Sequence, residues 1–331
     1  MRIKQVIATF GYKILKSLAI KLKSKRILTG DTIVVHPDSW KKFQPELYQY
    51  ANARYAIIKE RLDAINRHDY KHIVAYIGRI EPDQLLCMGE KLQWLQLTSH
   101  GANGFDKKNL YKNRNIVVSC VKDVFSEPIA QYCISAYFLF NTYSFRPRNN
   151  KSDRSQIIPD RINVMIYGLG NIGTELARRA SRLGWTVYGV KRTVPATPIS
   201  GIKEIYTVST AKKHLKEMDY VVNLLPESET TTGLYDTSFF KLMNSNAIFC
   251  NVGRKSAVID KDIAEAVKTG IIRGAILDAH NDYNYGTSDI ILTGHSSSVS
   301  PENDEKFDRY YTMQLNAFLN HQEIKNQLPL K

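Results

Sequence analysis

The chain has little cysteine: four residues in 331, at Cys87, Cys120, Cys133 and Cys250. None forms a C-x-x-C pair, and no histidine stands at a metal-ligand spacing from them. A disulfide framework and a structural zinc site are therefore excluded, which points to reduced, packing cysteine in a cytoplasmic protein. Internal repeats and low-complexity stretches are missing too, so neither a solenoid nor a disordered body is implied. Acid is the minority charge, with 32 Asp and Glu against 46 Lys and Arg and a net charge of +14. That imbalance favours anionic partners: phosphorylated cofactors, acidic substrates, nucleic acid or an anionic membrane surface. What remains is ordinary, 43% hydrophobic and 24% charged, in a chain long enough for two cores.

Residues 1–30 hold eight cations (Arg2, Lys4, Lys13, Lys16, Lys21, Lys23, Lys25, Arg26) and no acid. The net +14 less these eight leaves +6 for the rest. Ile3, Val6, Ile7, Phe10, Ile14, Leu18 and Leu22 recur at helical spacing, which predicts a basic amphipathic helix. Lysines interrupt each apolar run before it could span a bilayer, and no small-residue cleavage site follows. Two roles stay open: a helix packed on its own protein or a partner, or a peripheral contact with the inner face of a membrane.

The rest alternates strand and helix patterns. Strands are expected at 32–36, 72–77, 94–98, 116–120, 162–167, 186–190, 220–225, 247–252, 274–279 and 290–294. This alternation predicts an α/β fold with parallel sheets and helices on both faces. The polar segment 145–161 reads as a crossover between two domains. The last helix, from about Glu302 to Leu319, need not belong to the second domain.

After the strand ending at Tyr167 come Gly168, Leu169, Gly170, Asn171, Ile172 and Gly173, then an amphipathic helix. Glycine strings alone are weak signals, but this one sits between strand and helix, where the motif has a physical meaning. Gly168 allows the tight turn, Gly170 lets backbone approach a pyrophosphate, and Gly173 lets helix and strand pack closely. The next strand ends Lys191, Arg192, Thr193, without the acid that usually holds the ribose hydroxyls of NAD. These cations suit a 2′-phosphate, so NADP(H) is favoured over NAD(H); solvated strand-end charge is the alternative.

Downstream, Leu225-Pro226, Thr231, Gly233-Leu234, Asn251-Val252-Gly253-Arg254, Leu277-Asp278 and Leu292-Thr293-Gly294-His295 follow in order. Together with Leu95–Ala102 and Ser126–Tyr132 they resemble the D-isomer-specific 2-hydroxyacid dehydrogenase family, hydroxypyruvate and glyoxylate reductases above all. The resemblance spans about residues 70–320. It implies two Rossmann-like or flavodoxin-like domains, a cofactor domain at 141–300 inserted in a substrate domain made of 31–140 and 301–331. It implies hydride transfer between NAD(P)H and a small 2-oxo or D-2-hydroxy acid in an interdomain cleft, and a homodimer. Arg254 matches the residue that clamps carboxylate and carbonyl, a role suited to a planar guanidinium fork. His295 matches the acid/base, for which imidazole is suited by its neutral-range titration. Ser99, His100, Gly101 and Ala102 match the substrate-carboxylate loop. Leu225, Pro226, Thr231, Val252, Gly253 and Asp278 match cofactor contacts, Asp278 on the nicotinamide side.

Three departures stand out. Tyr283 occupies the register of the glutamate that would orient the histidine, and Asp282, one position away, is the candidate replacement. Lys255 stands where glycine is usual, and Gly294 where proline is usual. Hence a second reading: a dinucleotide-binding pseudoenzyme, serving as a sensor or assembly subunit. A nucleic-acid binder is the third and weakest, because no aromatic-rich RNA-binding signature or zinc-finger spacing accompanies the charge.

Overall fold

Short runs of β-branched and aromatic residues form twelve strands among the described residues of the computed structural model, and all ladder pairings are parallel. The described residues are 25–49, 54–101, 104–122, 124–142 and 161–331. Strands β1 to β12 are Thr32–Val35, Ala56–Lys59, Ile73–Ile77, Trp94–Gln96, Val117–Ser119, Asn163–Tyr167, Thr186–Val190, Glu204–Tyr206, Tyr220–Asn223, Ile248–Asn251, Gly274–Leu277 and Ile290–Leu292. The longer helices are α1 (Ser126–Asn141), α2 (Asn171–Arg182), α3 (Asp260–Lys268) and α4 (Asn303–Leu319). Two compact units emerge, Met1–Val121 with Asp304–Lys331, and Lys122–Asn303.

In the first unit the strands run in the order β2-β1-β3-β4-β5, the flavodoxin-like arrangement. One face buries Val34, Ile58, Ile73, Leu95 and Val118 in a single cluster. Helix α4 contributes buried Tyr311, Gln314 and Leu315 to the same unit. Its Trp40 partner donates from the indole to Asp308 at 2.7 Å. Gln314 donates to Gln96 Oε1 at 3.2 Å and to the Lys325 carbonyl at 2.8 Å, so its buried amide is satisfied.

The second unit has a sheet in the order β12-β11-β10-β9-β6-β7-β8. The chain starts in the middle at β6, builds β7 and β8 to one side and β9 to β12 to the other. That creates a topological switch point between β6 and β9, where open α/β sheets bind ligands at their carboxyl ends. Side chains alternate across the sheet: Met165, Tyr167, Phe249 and Leu277 bury on one face, and Val164, Ile166, Cys250 and Ile276 on the other.

The domain boundary expected near residue 140 differs from the division at 121/122, because α1 packs on the second unit. Its Ile129, Ala130, Cys133 and Phe140 share a core with Val164, Leu176 and Ala180. Of the predicted N-terminal helix, residues 1–24 lie outside the described residues, and 25–30 are not helical. Arg26 there forms an isolated parallel bridge with Ile65. Most of the predicted linker, 145–160, also lies outside the described residues. Among the described residues no helix is long and apolar enough to cross a membrane.

Candidate active site

The glycine loop follows β6 at the switch point. Gly168 has φ +105°, a left-handed conformation that favours glycine, and its N–H donates to the Val190 carbonyl at 3.0 Å. A β-carbon there would stand 3.1 Å from the Leu224 carbonyl group, so the turn passes tightly over the end of β9. Gly173, one turn into α2, has no room for a side chain: a β-carbon would collide with the Gly168 carbonyl oxygen and lie 3.4 Å from Ile166 Cγ2. Leu169 turns into the core and covers Gly189 on β7. Gly170 differs. A β-carbon there meets nothing within 4 Å, and Gly170, the helix N-cap, offers no side-chain cap of its own. The N-terminus of a 12-residue helix thus has room beside Gly170, a cradle whose polarity and room fit a pyrophosphate. Ile172 packs, half-buried, against the α1 side of the sheet.

Beside this loop β7 ends at Val190, paired with Tyr167. Half-buried Lys191 is fixed through its backbone N–H to the Tyr206 carbonyl at 2.9 Å, while Arg192 and Thr193 are exposed. Both cations therefore lie at the carboxyl edge that also carries Gly168.

Across the switch point, β9 and β10 end in two buried asparagines that sequence reasoning missed. Asn223 donates to Asn251 Oδ1 at 2.8 Å. Asn223 Oδ1 accepts from Leu225 N and from the Tyr235 hydroxyl, each at 3.0 Å. Asn251 donates to the Ala279 carbonyl at 2.7 Å and the Arg254 carbonyl at 3.2 Å, and accepts from Gly253 N at 3.2 Å. The pair thereby fixes the loops carrying Leu225, Pro226, half-buried Val252, Gly253 and Arg254. Gly253 is required by crowding, since a β-carbon would be 2.8 Å from both Asn223 Nδ2 and Leu225 O. Thr231 closes the next turn by donating to the Pro226 carbonyl at 2.7 Å. The signal was available: a polar amide ending each of two apolar runs.

Arg254 is half-buried, with Nη1 donating to the Gly253 carbonyl at 2.9 Å, and adjacent Lys255 is exposed. Asp278, at the end of β11, is buried. Burial pushes its carboxyl upward, but hydrogen bonds from Ser297 and Thr293 and the amides of Ser296 and Ser297 outweigh it, leaving the carboxyl below its ordinary range. His295 is exposed in the loop that Asp278 grips, with φ +53°.

Asp282, the expected partner of His295, does not meet it. Asp282 is exposed and, among the described residues, forms no ion pair or hydrogen bond with the imidazole. The reason lies in its neighbours. Asn281 donates to Asp260 Oδ2 and Tyr285 to Asp260 Oδ1, each at 2.6 Å, and both pin the segment to the start of α3. Tyr283 is 40% exposed and packs edge-on against Tyr285. His280 instead turns inward, its ring nitrogens 2.8 Å from the Asn281 carbonyl and 3.2 Å from the Thr293 carbonyl.

The predicted carboxylate loop belongs to the first unit. Ser99 Oγ donates to the Gly101 carbonyl at 2.7 Å and the Ser99 carbonyl accepts from Val121 N at 3.0 Å. His100 is half-buried, and Ala102 lies outside the described residues. Among the described residues, no three His, Cys, Asp or Glu side chains gather to hold a metal.

Residues 144–303 match the model of the D-isomer specific 2-hydroxyacid dehydrogenase NAD-binding domain. Over these residues the chain matches the nucleotide-binding domain of that family. It is 27% identical over 226 residues to a D-lactate dehydrogenase of Staphylococcus epidermidis, covering 64% of this chain and 66% of that protein. A glyoxylate reductase of Pyrococcus furiosus is 29% identical over 161 residues, 47% of each chain. The matched stretch thus spans just under two thirds of the first of these relatives and under half of the second. Among solved structures, a D-isomer specific 2-hydroxyacid dehydrogenase family protein from Aeromonas salmonicida superposes with TM-score 0.75 at 20% identity, covering 93% of this chain and all of that one. An NADPH-dependent glyoxylate/hydroxypyruvate reductase from Sinorhizobium meliloti, solved with NADP and sulfate, gives 0.69 at 20% identity over 90% of this chain and 98% of that one. At such identity these two establish the fold.

Proposed function

We propose that the chain is an NADP(H)-dependent reductase of small 2-oxo acids, running in reverse as a D-2-hydroxyacid dehydrogenase. The observation that carries the reading is the glycine loop: a helix N-terminus with room beside Gly170, followed at the end of the next strand by Lys191 and Arg192 with no acid. Relatives named D-lactate dehydrogenase and glyoxylate reductase support the reaction class. A neighbour named as NADPH-dependent supports the choice of cofactor.

When bound, the reduced nicotinamide supplies a hydride to the carbonyl carbon of the substrate. Amides of Gly168 to Gly173 and the start of α2 would hold the pyrophosphate, with Lys191 and Arg192 on the 2′-phosphate. Leu225, Pro226, Thr231, Val252 and Gly253 would line the rest of the cofactor site. Arg254 would grip the substrate carboxylate and polarise its carbonyl. His295 would give a proton to the carbonyl oxygen, completing the hydroxyl, and take it back in the reverse direction. The Ser99–Ala102 loop would contribute amides to the substrate carboxylate. A homodimer is the proposed assembly.

The unpartnered Asp282 and the tyrosine at 283 favour one second reading, a dinucleotide-binding protein with little turnover. A reductase assay crossing NADH and NADPH with glyoxylate, hydroxypyruvate and pyruvate separates the two. Oxidation of NADPH that falls about 100-fold in Arg254→Ala supports the enzyme. No turnover with either cofactor, alongside retained NADPH binding that Gly170→Asp abolishes, supports the second reading.

A further inference from the structure

The segment Thr293 to Ser297 leaves the edge strand β12, and both its ends are fastened to one carboxylate. Asp278 Oδ1 accepts from the Thr293 hydroxyl at 2.6 Å and from Ser296 N at 2.8 Å, and Oδ2 accepts from Ser297 N at 3.1 Å. Between these anchors His295 donates its backbone N–H to the Thr293 carbonyl at 2.9 Å, closing a three-residue turn around Gly294. His295 itself sits at φ +53°, a region that costs a β-carbon-bearing residue about 1–2 kcal/mol and persists only when neighbours enforce it. Its exposed imidazole has no hydrogen-bond partner among the described residues, so what the surroundings fix is the backbone and with it the direction of the Cα–Cβ bond.

The restraint extends into the core with a defined direction. Ionised carboxylate only accepts, so the single proton of the Thr293 hydroxyl goes to Asp278. The Thr293 oxygen is then an acceptor, and the Tyr132 hydroxyl 2.7 Å away is its donor. Tyr132 lies on α1, a 16-residue helix whose inner face is packed against the sheet. A continuous line therefore runs from a rigid helix through two hydroxyls to a carboxylate, and from there to the amides on the far side of His295. From the opposite side, His280 reaches the Thr293 carbonyl at 3.2 Å.

We propose that Tyr132, Thr293 and Asp278 form a positioning relay that holds His295 in its left-handed conformation and aims its imidazole at the reacting carbonyl. This assigns Asp278 a loop-holding task on top of any cofactor contact, and gives Tyr132 a function in a helix otherwise read as packing. Burial raises the Tyr132 hydroxyl well above its ordinary range while Asp278 stays below its own, so the relay keeps one hydrogen-bond direction through neutral pH.

The inference rests on the reductase reading, and its test separates the two. Thr293→Val keeps shape and removes the hydroxyl; Thr293→Ser keeps the hydroxyl. With the 2-oxo acid that wild type reduces, Thr293→Val lowers kcat by about 10- to 100-fold while KM for NADPH stays within about twofold, and Thr293→Ser restores most of the rate. Amide exchange at Ser296 and Ser297 speeds up by about five- to tenfold in the valine variant alone. Unchanged kcat and unchanged exchange in Thr293→Val overturn the relay. If wild type reduces no 2-oxo acid, the reductase reading fails, and the exchange rates together with the His295 imidazole NMR signals still decide the relay. Should Thr293→Val not fold, Tyr132→Phe is read by the same measurements; no change in them overturns the proposal.

Discussion

Asn223 and Asn251 meet amide to amide at 2.8 Å, joining the ends of β9 and β10 beneath the loops that carry Leu225 and Arg254. Both are fully buried. Replacing Asn251 with leucine leaves the Asn223 amide, Gly253 N–H and Ala279 carbonyl without their partner. Each buried group so stranded costs about 1–3 kcal/mol. Asn251→Leu is expected to lose about 3 kcal/mol or more in urea unfolding. Its nucleotide binding and any Arg254-dependent activity should fall with it.

The first and third glycines of the loop are constrained by contact, whereas the middle one has room beside it, which the proposed reading gives to the pyrophosphate. A methyl at Gly173 has to displace the Gly168 carbonyl, which is backbone and cannot swing aside. Gly173→Ala should destabilise the second unit by about 1–3 kcal/mol as an overpacked core does. Gly170 has φ −84° and open space, so alanine fits without strain. Gly170→Ala should melt within about 1 °C of wild type yet bind NADPH about tenfold more weakly, because the lost room is the ligand's. Equal binding by both proteins in calorimetry would remove the pyrophosphate from this loop.

Arg192 sits exposed at the end of β7, with Lys191 half-buried beside it. A guanidinium on a 2′-phosphate makes a charge-assisted bond of about 1.5–3 kcal/mol that NADH cannot make. Arg192→Ala is therefore expected to raise KM for NADPH by about 10- to 100-fold and leave NADH kinetics unchanged. Equal effects on both cofactors would mean that the strand-end cations do not read the phosphate.

The parts of this fold that were legible in the sequence are those where burial is two-sided. Central strands such as Val164–Tyr167 and Tyr220–Asn223 are apolar on both faces, and parallel sheets covered by helices demand that. The edge strands Ala56–Lys59 and Glu204–Tyr206 were missed, because an edge buries fewer side chains and tolerates Glu204 and Lys59. Glycine spacing located the loop, since the collision at Gly173 leaves no other residue. The amides ending two apolar runs were legible, but not that Asn223 and Asn251 pair, nor the Tyr132–Thr293–Asp278 line, because the partners are 28 and up to 161 residues apart. The absence of an Asp282–His295 contact has the opposite cause. Proximity in sequence to an expected position carried no information about where Asn281 and Tyr285 would pin the chain.

Glu175 on α2 offers a pH signature separate from catalysis. It accepts from Arg178 Nε and Nη2 at 2.7 and 2.6 Å and from Arg179 Nε at 2.6 Å. Hydrogen bonding to Arg178, against the opposing effect of burial and with help from Arg179, lowers its carboxyl from 4.5 to about 2. A folded value below the unfolded one stabilises the protein above the unfolded value, and that stability disappears as pH falls through the folded value. Wild type should therefore exceed Glu175→Gln in unfolding free energy by about 1 kcal/mol above pH 5, a modest figure because the arginines are partly exposed. The gap should close between pH 4.5 and about 2, and it should shrink in about 1 M salt, where screening acts over roughly 3 Å. Urea titrations of both proteins at pH 7, 4 and 2.5 check the sign. A gap that widens on acidification would show that the carboxylate is not held by its arginines.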